Sequence, residues 1–336
     1  MKIGPIDLSR EVLVIAEIGN NHEGDFGRAA EMIHAAAAAG AQAVKFQTII
    51  PERLVAAEQT ARIEQLGRYA FSRDQFAELA GIARSAGVIF LSTPFALEVV
   101  SWLDELVPAF KIASGDNNFQ RLLAAVAATG KPILLSTGMA DLAGIKSACR
   151  IIEGAAQPGK TRSEIALLHC VSAYPTPPEQ ANLLAIATLA RETGRVVGYS
   201  DHTLGIAAAV LSIALGARIV EKHFTLSKTQ SDFRDHALSA DPSEFAALVQ
   251  QIRLAQVILG TGEKTPRPAE AATTAAARRS IVARTALPAG HVLTASDLDW
   301  LRPGGGLQPG QENLIVGRRM ARAVAQGQMI MPDMVA

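Results

Sequence analysis

The stretch VVGYSDHTLGIAAAVLSIALGARIVEKHF (residues 196–224) contains one complete strand–helix–strand unit. It opens with a short β-branched run that ends in polar residues, and an Ala- and Leu-rich segment with helical spacing follows. Gly216 then stands where a helix C-cap is expected, shortly before a second β-branched run. Apolar strands that are buried on both faces are typical of parallel sheets, so this stretch predicts a parallel βαβ unit.

The same alternation repeats along the first 260 residues. Seven of the intervals between strand candidates hold a helix candidate, and an eighth helix is expected at about residues 242–259. Eight βα units in series predict an α/β fold of the (β/α)₈ TIM-barrel type, whereas the alternative, a doubly wound open sheet, has no fixed strand number. The strand candidates are residues 12–18, 43–47, 88–93, 109–114, 132–136, 165–170, 196–200 and 219–224.

The composition and the apolar periodicity of the chain change after residue 259. Residues 260–277 (GTGEKTPRPAEAATTAAA) have little apolar periodicity, and residues 279–336 contain short strands and many turns. We therefore expect a barrel domain at 1–260, a linker at 261–278 and a small C-terminal domain at 279–336. A module of about 60 residues is marginally stable alone, and the linker is long enough to let it pack on another subunit.

Composition excludes several classes of protein. The 336 residues include 32 lysines and arginines against 32 aspartates and glutamates, so the chain lacks the excess of basic residues that is expected of a nucleic-acid binder. The two cysteines, Cys149 and Cys170, cannot form a disulfide framework and fit a reducing compartment, and Cys170 lacks an adjacent base that would make it a nucleophile. Residues 1–8 lack the apolar core of a signal peptide, and no apolar run approaches the roughly 20 residues of a membrane span. We expect a cytoplasmic protein without nucleic-acid or membrane partners.

Polar residues at the strand ends are the candidates for chemistry, because barrel active sites lie at the carboxyl ends of the strands. Lys45 and Lys111, with small hydroxyls around them, suit a ligand that carries phosphate and carboxylate groups. His202 and His223 follow adjacent strands and suit a divalent metal with open positions for water and substrate. The strand-end hydroxyls are Ser92, Ser114, Ser136 and Ser200.

Structural alternatives exist for these candidates. A lysine within an apolar strand is costly unless it is paired, so Lys45 and Lys111 can also be explained as structural ion pairs. His202 and His223 can equally be hydrogen-bonded core residues. For His169, which lies within a strand candidate, we favour the structural explanation.

Taken in order, the motifs resemble the sialic acid synthase family over nearly the whole chain, and the C-terminal segments resemble its antifreeze-like (SAF) β-clip domain. Any one short piece would be weak, but the SDHT, EKHFT and RPGGG set is specific. The matching segments are IAEIGNNHEGD (15–25), AVKFQT (43–48), FLSTPF (90–95), FKIASGDNN (110–118), KPILLSTGM (131–139), LLHCVSAYPTP (167–177), VGYSDHT (197–203), EKHFT (221–225), RDHALSADP (234–242), RRSIVA (278–283), LPAGHVLTASDL (287–298), RPGGGL (302–307) and VGRR (316–319).

The resemblance implies a transferase of sialic acid biosynthesis. Members of the family condense phosphoenolpyruvate with an N-acetylated hexosamine aldehyde, so we expect an N-acetylneuraminate synthase that uses N-acetylmannosamine and water and releases phosphate. The nearest alternative is a related nonulosonate synthase, for legionaminic or pseudaminic acid, that uses a 2,4-diacetamido-trideoxyhexose. More remote alternatives are a lyase that forms a Schiff base through Lys45 or Lys111, and a non-catalytic sugar-binding homologue.

The resemblance also implies a role for each strand-end residue, with Glu17, Asp235, His202 and His223 as the catalytic candidates. His202 and His223 match the family's divalent-metal ligands, normally for Mn²⁺, with Mg²⁺ or Co²⁺ as alternatives. The positions for phosphoenolpyruvate are matched by Lys45, Thr93, Lys111, Ser114, Asp116, Ser136 and Ser200. The positions for the acceptor sugar and for proton handling are matched by Glu17, Gln47, Tyr174 and Asp235, and Ser172, beside the sugar pocket, is a further substrate-binding candidate.

Arg302 matches an arginine that the antifreeze-like domain of one subunit inserts into its partner's site, where it holds the N-acetyl group of the sugar. The resemblance thus implies a domain-swapped homodimer, which agrees with the expected linker.

Two departures from the family pattern matter. Some members carry Glu where this chain has Asp116, which keeps the charge on a shorter side chain. Some carry Asn where this chain has Ser172, beside the sugar pocket, and this leaves the exact hexosamine open.

Residues 51–72 align poorly and are expected to shape the sugar end of the site. Either Glu17 or Asp235 could accept the proton of the attacking water.

Overall fold

The computed structural model describes residues 1–157, 159 and 161–336, and it divides into two compact units, Met1–Gly260 and Thr261–Ala336. The first unit begins with a two-stranded antiparallel hairpin, β1 (Lys2–Ile3) and β2 (Ile6–Asp7). Eight parallel strands follow: β3 (Leu13–Gly19), β4 (Ala43–Thr48), β5 (Ile89–Pro94), β6 (Phe110–Ile112), β7 (Ile133–Ser136), β8 (Ile165–His169), β9 (Val196–Asp201) and β10 (Ile219–His223).

These eight strands form a barrel. Their order is β5-β4-β3-β10-β9-β8-β7-β6, and β5 and β6, at the two ends of this order, pack beside each other. The first barrel strand pairs with the last, with Glu17 opposite His223, so the sheet returns on itself. The predicted TIM barrel is confirmed, and this pairing excludes the doubly wound open sheet.

Helices alternate with the strands, and several begin at a residue whose side chain accepts a hydrogen bond from the first turn: Asp25, Ser72, Asp141 and Asp241. None of the described helices is long and apolar enough to cross a membrane. Three 3₁₀ turns cover Leu97–Val99, Ser114–Asp116 and Pro178–Gln180. The helices are α1 (Phe26–Ala38), α2 (Pro51–Leu54), α3 (Thr60–Tyr69), α4 (Arg73–Ser85), α5 (Val100–Leu103), α6 (Gln120–Ala127), α7 (Leu142–Gly154), α8 (Ala185–Thr193), α9 (Ala207–Ala214), α10 (Asp235–Leu238) and α11 (Pro242–Leu259).

Apolar side chains fill the lower part of the barrel interior. Leu13, Leu134 and Leu168 are fully buried there, together with Ile3 of the hairpin. Packing is close: a Cβ at Gly198 would lie 2.5 Å from the Ile219 carbonyl oxygen, which explains the glycine in the middle of β9.

The second unit has its own small apolar core. Its two strands, β11 (Ser280–Ala283) and β12 (Leu298–Leu301), pair antiparallel, and 3₁₀ turns cover Ala295–Asp297, Glu312–Leu314 and Pro332–Met334. The core contains Ile281, Leu287, Leu293, Leu298, Ile315, Met320, Val324 and Ile330.

The segment expected to be a linker, 261–278, contains secondary structure. It carries a 3₁₀ turn, Pro268–Glu270, and a helix, α12 (Ala271–Ala277). The alanines explain the helix, since alanine has the highest intrinsic helix propensity, and almost every side chain of the segment is exposed. That this segment links two independent domains stays a prediction.

Candidate active site

A cavity of about 940 Å³ lies at the carboxyl ends of the barrel strands, and every barrel strand or the loop after it contributes to the wall. The barrel topology therefore brings together side chains that are far apart in sequence. The predicted site residues in this wall are Glu17, Lys45, Gln47, Thr93, Lys111, Ser114, Ser136, Ser172, Tyr174, Ser200, His202, His223 and Asp235.

Asp116 and Arg302 are the two predicted site residues outside this wall. Asp116 ends the 3₁₀ turn after β6, where burial raises its pKa, and among the described residues its Oδ2 has no hydrogen-bond partner. Arg302 belongs to the second unit and is exposed. The roles expected for both residues stay predictions.

Ser92 corrects the expectation of four strand-end hydroxyls around the site. Its Oγ lies 2.7 Å from the Thr48 hydroxyl and donates to the Phe46 carbonyl oxygen, so it is used within the strands. The next residue, Thr93, lines the cavity instead, because successive side chains of a strand point to opposite faces.

Four buried charges form the floor of the cavity. Lys45 Nζ lies 3.3 Å from Glu17 Oε2 and 3.0 Å from Glu221 Oε2. Lys111 Nζ lies 3.8 Å from Glu221 Oε1, and Ser200 donates to the same oxygen at 2.9 Å. The lysines are therefore ion-paired, as the structural alternative expects, and they also line the cavity, as the functional prediction expects.

The pKa values of these groups diverge. Burial raises the pKa of Glu17 to about 7, because desolvation outweighs the attraction of Lys45. Burial acts on Glu221 in the same direction, but Lys111 and Lys45 together hold the pKa of this carboxyl well below its usual value. Burial also lowers the pKa of Lys111 to about 8. Glu17 and Lys111 can therefore each take up or release a proton close to neutral pH, whereas Glu221 stays charged.

Glu221 is a member of this cluster to which the sequence analysis assigned no role. The signal was present in the spacing, since Glu221 and His223 are two residues apart in one strand and must share a face. Its partners Lys45 and Lys111 lie on other strands, and no local pattern reveals those contacts.

His202 and His223 lie side by side, with ring centroids 5.5 Å apart. The Nδ1–H of His202 donates to the Val171 carbonyl oxygen at 2.8 Å, which leaves Nε2 without a proton and able to bind a metal. Nδ1 of His223 is buried and has no hydrogen-bond partner among the described residues. Burial lowers the pKa of both rings, so both are neutral near pH 7, the form that ligates metals.

These features fit a divalent metal. Within the described ranges, no group of three or more His, Cys, Asp and Glu residues is arranged to hold one. Two histidines would leave the remaining coordination positions to water or a substrate, as catalytic metal sites require. His169, by contrast, has its Nε2 2.8 Å from the Ala181 carbonyl oxygen, as the structural explanation predicted.

Gly138 lies at a crowded point of the wall. Its N–H donates to Ser114 Oγ at 3.1 Å, and Ser114 Oγ lies 3.0 Å from Cys170 Sγ. A Cβ at position 138 would lie 2.5 Å from Ser172 Oγ and 2.7 Å from Ser114 Oγ. Only glycine allows these hydroxyls to approach the backbone so closely.

The outer part of the wall comes from α3 and from the segment after β10. Arg62, Gln65 and Tyr69 of α3 line the cavity, so the poorly aligned residues 51–72 do reach it. The Arg234 guanidinium lies over the Tyr174 ring, 5.0 Å from its centroid, and the Phe233 ring packs edge-on against that of Tyr69. Sequence reasoning missed Phe233 and Arg234, because no periodic pattern marks the segment after β10, whereas Tyr69 lies within the stretch 51–72 that was expected to shape the site.

Comparisons with known proteins place the chain in a family. The NeuB family profile matches residues 32–264, and the SAF domain profile matches residues 278–336. The uncharacterized protein MJ1065 of Methanocaldococcus jannaschii is 43% identical, over 95% of this chain and 94% of its own. The N,N'-diacetyllegionaminic acid synthase of Legionella pneumophila subsp. pneumophila is 38% identical, over 97% of this chain and 95% of its own.

A solved structure is similar as well. The N-acetylneuraminic acid (sialic acid) synthetase from Leptospira borgpetersenii serovar Hardjo-bovis, in complex with citrate, superposes with a TM-score of 0.76 at 36% identity. The alignment covers 81% of this chain and 94% of that one. The resemblance drawn from the motifs is confirmed, as are the synthase type of enzyme and the C-terminal SAF domain. The chain belongs to the NeuB family.

Proposed function

We propose that the protein condenses phosphoenolpyruvate with an N-acetylated hexosamine to give a nine-carbon 2-keto sugar acid. C3 of phosphoenolpyruvate forms the new bond to the open-chain aldehyde carbon, water adds to C2, and the C2–O bond breaks to release inorganic phosphate. The observation that carries this proposal is the position of Lys45 and Lys111 on the floor of one cavity, beside His202 and His223.

In this proposal the floor of the cavity binds the two anionic groups of phosphoenolpyruvate. Lys111 is the freer cation, since its one ion pair among the described residues, with Glu221, spans 3.8 Å. Charge-assisted hydrogen bonds from lysines and hydroxyls fix carboxylate and phosphate oxygens and so hold the reacting carbon in place. The binding set is Lys45, Thr93, Lys111, Ser114, Ser136 and Ser200, with Asp116 as a further candidate behind the wall.

Glu17 is the proposed base that accepts the proton of the attacking water. Its pKa of about 7 suits a group that must take up and release a proton near neutral pH. Gln47 donates to Glu17 Oε1 at 3.0 Å and orients the carboxyl group. Asp235 Oδ1 already accepts from Arg234 at 3.1 Å, so we assign Asp235 to binding the acceptor, together with Ser172 and Tyr174.

His202 and His223 would hold a divalent metal, for which we propose Mn²⁺, with Mg²⁺ or Co²⁺ as alternatives. When bound, such an ion would polarise the aldehyde oxygen of the acceptor. The Tyr174 ring, 4.2 Å from that of His202, would shield this part of the site from bulk water.

N-acetylmannosamine is the proposed acceptor, and N-acetylneuraminate is the proposed product. A 2,4-diacetamido-trideoxyhexose, giving legionaminic or pseudaminic acid, is the second candidate, and the likeness to the Legionella synthase favours it. The test is phosphate release by the full chain with phosphoenolpyruvate, Mn²⁺ and a panel of 2-acetamido sugars. The proposal expects release with one class of acceptor only, and release with none of them, or without any sugar, contradicts it.

We further propose a cytoplasmic, domain-swapped homodimer in which Arg302 of one protomer holds the acceptor's N-acetyl group in its partner. The family resemblance supports the exchange of domains. The free, buried thiols of Cys149 and Cys170 agree with a reducing compartment.

The more remote alternative, a Schiff-base lyase, rests on Lys111, because burial lowers the pKa of this lysine to about 8 and leaves more of its amine unprotonated. Borohydride reduction in the presence of substrate decides between the two. A covalent adduct on Lys111 supports the lyase, and its absence during turnover supports the synthase.

A further inference from the structure

A polar cluster joins the loop after β3 to the segment around α10, and two of its members, Glu23 and Ser231, line the cavity. We call Glu23, Thr225, Ser231 and His236 the Glu23 clasp. His236 is fully buried, with Nε2 3.0 Å from Glu23 Oε1 and Nδ1 2.7 Å from Thr225 Oγ1. Ser231 donates to the same Glu23 oxygen at 3.0 Å. One carboxylate therefore holds both the buried ring and the loop before it.

The backbone at Glu23 shows that this arrangement is specified. Glu23 has a φ of 51°, in the left-handed region that residues other than glycine seldom adopt. Partial burial alone would raise the pKa of Glu23, but the bonds from His236 and Ser231 lower it below its usual value. The charged carboxylate is thus the form that the clasp stabilises.

A second attachment lies two residues earlier in the same loop. Asn21 Nδ2 donates to the Phe224 carbonyl oxygen at 2.8 Å and to Ser239 Oγ at 2.9 Å. Ser239 Oγ in turn donates to the carbonyl oxygen of Asp235. The loop after β3 therefore forms hydrogen bonds near both ends of α10, to His236 and to Ser239.

The segment held in this way carries the acceptor side of the cavity. Phe233, Arg234 and Asp235 all line the wall, directly before His236. Lys45 and Lys111, which form the proposed phosphoenolpyruvate side, lie on other strands. Among the described hydrogen bonds and ion pairs, neither lysine contacts a residue of the clasp.

We propose that Glu23 and His236 are positioning residues that hold Asp235 and Arg234 in place for the acceptor sugar, an inference that rests on the proposed function. Loss of the clasp then weakens use of the acceptor and leaves binding of phosphoenolpyruvate intact. A misplacement of about 1 Å at a positioning element lowers turnover on the order of 100-fold.

The experiment compares Glu23→Ala and Glu23→Gln with wild type in the full chain, and uses Glu31→Ala, an exposed glutamate of α1, as the matched control. Glu23→Ala is expected to lower kcat/KM for the acceptor about 100-fold, while the Kd of phosphoenolpyruvate from calorimetry is unchanged. Glu23→Gln is expected to recover most of this loss, because its amide oxygen still accepts from His236 Nε2. Hydrogen exchange over residues 227–240 is measured on the same variants.

Two results overturn the inference: unchanged acceptor kinetics in Glu23→Ala, or an equal loss of phosphoenolpyruvate affinity, which would indicate a general structural role. A wild-type protein that turns over no acceptor refutes the proposed function instead. In that case hydrogen exchange still decides on the clasp. Faster exchange of 227–240 in Glu23→Ala, but not in Glu31→Ala, supports it, and equal exchange in the two variants refutes it.

Discussion

The ammonium group of Lys222 lies 2.9 Å from Asp201 Oδ2, and both side chains are fully buried. The two residues are also directly opposite in the pairing of β9 with β10. Each precedes one of the proposed metal ligands, His202 and His223, and points to the opposite face of its strand. This ion pair therefore joins the two strands immediately before the two histidines.

Removing one partner of this pair should be strongly destabilising. Asp201→Ala leaves an uncompensated buried lysine, and we expect a loss of about 3–5 kcal/mol in the free energy of unfolding. Urea titration in a Trp300→Phe background, in which Trp102 is the remaining tryptophan, reports on the barrel alone. Glu192→Ala, which breaks the exposed Lys146–Glu192 pair, is the control and should leave the free energy of unfolding nearly unchanged. Equal losses in the two variants would contradict a structural role for the buried pair.

Gly138→Ala should damage the phosphoenolpyruvate side of the site. The added methyl group would displace Ser114, which belongs to the proposed phosphoenolpyruvate set, so we expect kcat/KM for phosphoenolpyruvate to fall on the order of 100-fold. Gly81→Ala, within α4 and with open space around it, is the matched control and should leave the kinetics unchanged. A Gly138→Ala enzyme with wild-type KM and kcat would show that the Ser114 hydroxyl does not bind the substrate.

His202→Ala and His223→Ala should each abolish Mn²⁺ binding and metal-dependent activity together, because two side chains are all that the proposed site supplies. Calorimetric titration with Mn²⁺ measures the binding without reference to turnover. His34→Ala, an exposed histidine of α1, serves as the control. Full activity of the wild-type enzyme in a chelator would refute the metal site.

Arg302→Ala should raise the KM for the acceptor sugar and leave the Kd of phosphoenolpyruvate nearly unchanged, because the proposed contact is to the N-acetyl group. Steady-state kinetics with each substrate varied in turn, together with calorimetry for phosphoenolpyruvate, measures the two effects. Mixing Arg302→Ala with an inactive His223→Ala protein should restore part of the activity through mixed dimers. Loss of phosphoenolpyruvate binding in Arg302→Ala would contradict the exchanged arginine.

The barrel could be predicted because each βα unit carries its own local signals. The prediction of residues 43–47, for example, differs from β4 by one residue. The predicted strand 109–114 ends early, at Ile112, because Ser114 begins a 3₁₀ turn. The hairpin β1–β2 was missed, since strands of two residues have no detectable period.

The candidate site was predictable where strand alternation decides which side chain points inward, as at Lys45 and His223. It was not predictable where the contact depends on three-dimensional packing alone. Glu23 and His236 are 213 residues apart in sequence, and nothing near either residue indicates the other. The ion pair between Glu221 and Lys111 could not be predicted for the same reason, since the two residues meet only when the barrel closes.

The fate of an ¹⁸O label in the bridging oxygen of phosphoenolpyruvate tests the proposed condensation most directly. The labelled substrate is incubated with the full chain, Mn²⁺ and the acceptor found in the panel, and both products are examined by mass spectrometry. We predict that the label leaves entirely with inorganic phosphate, in equal amount to the nine-carbon acid, because water attacks C2 and the C2–O bond breaks. Label retained in the organic product, or phosphate formed without the acceptor, would contradict the account.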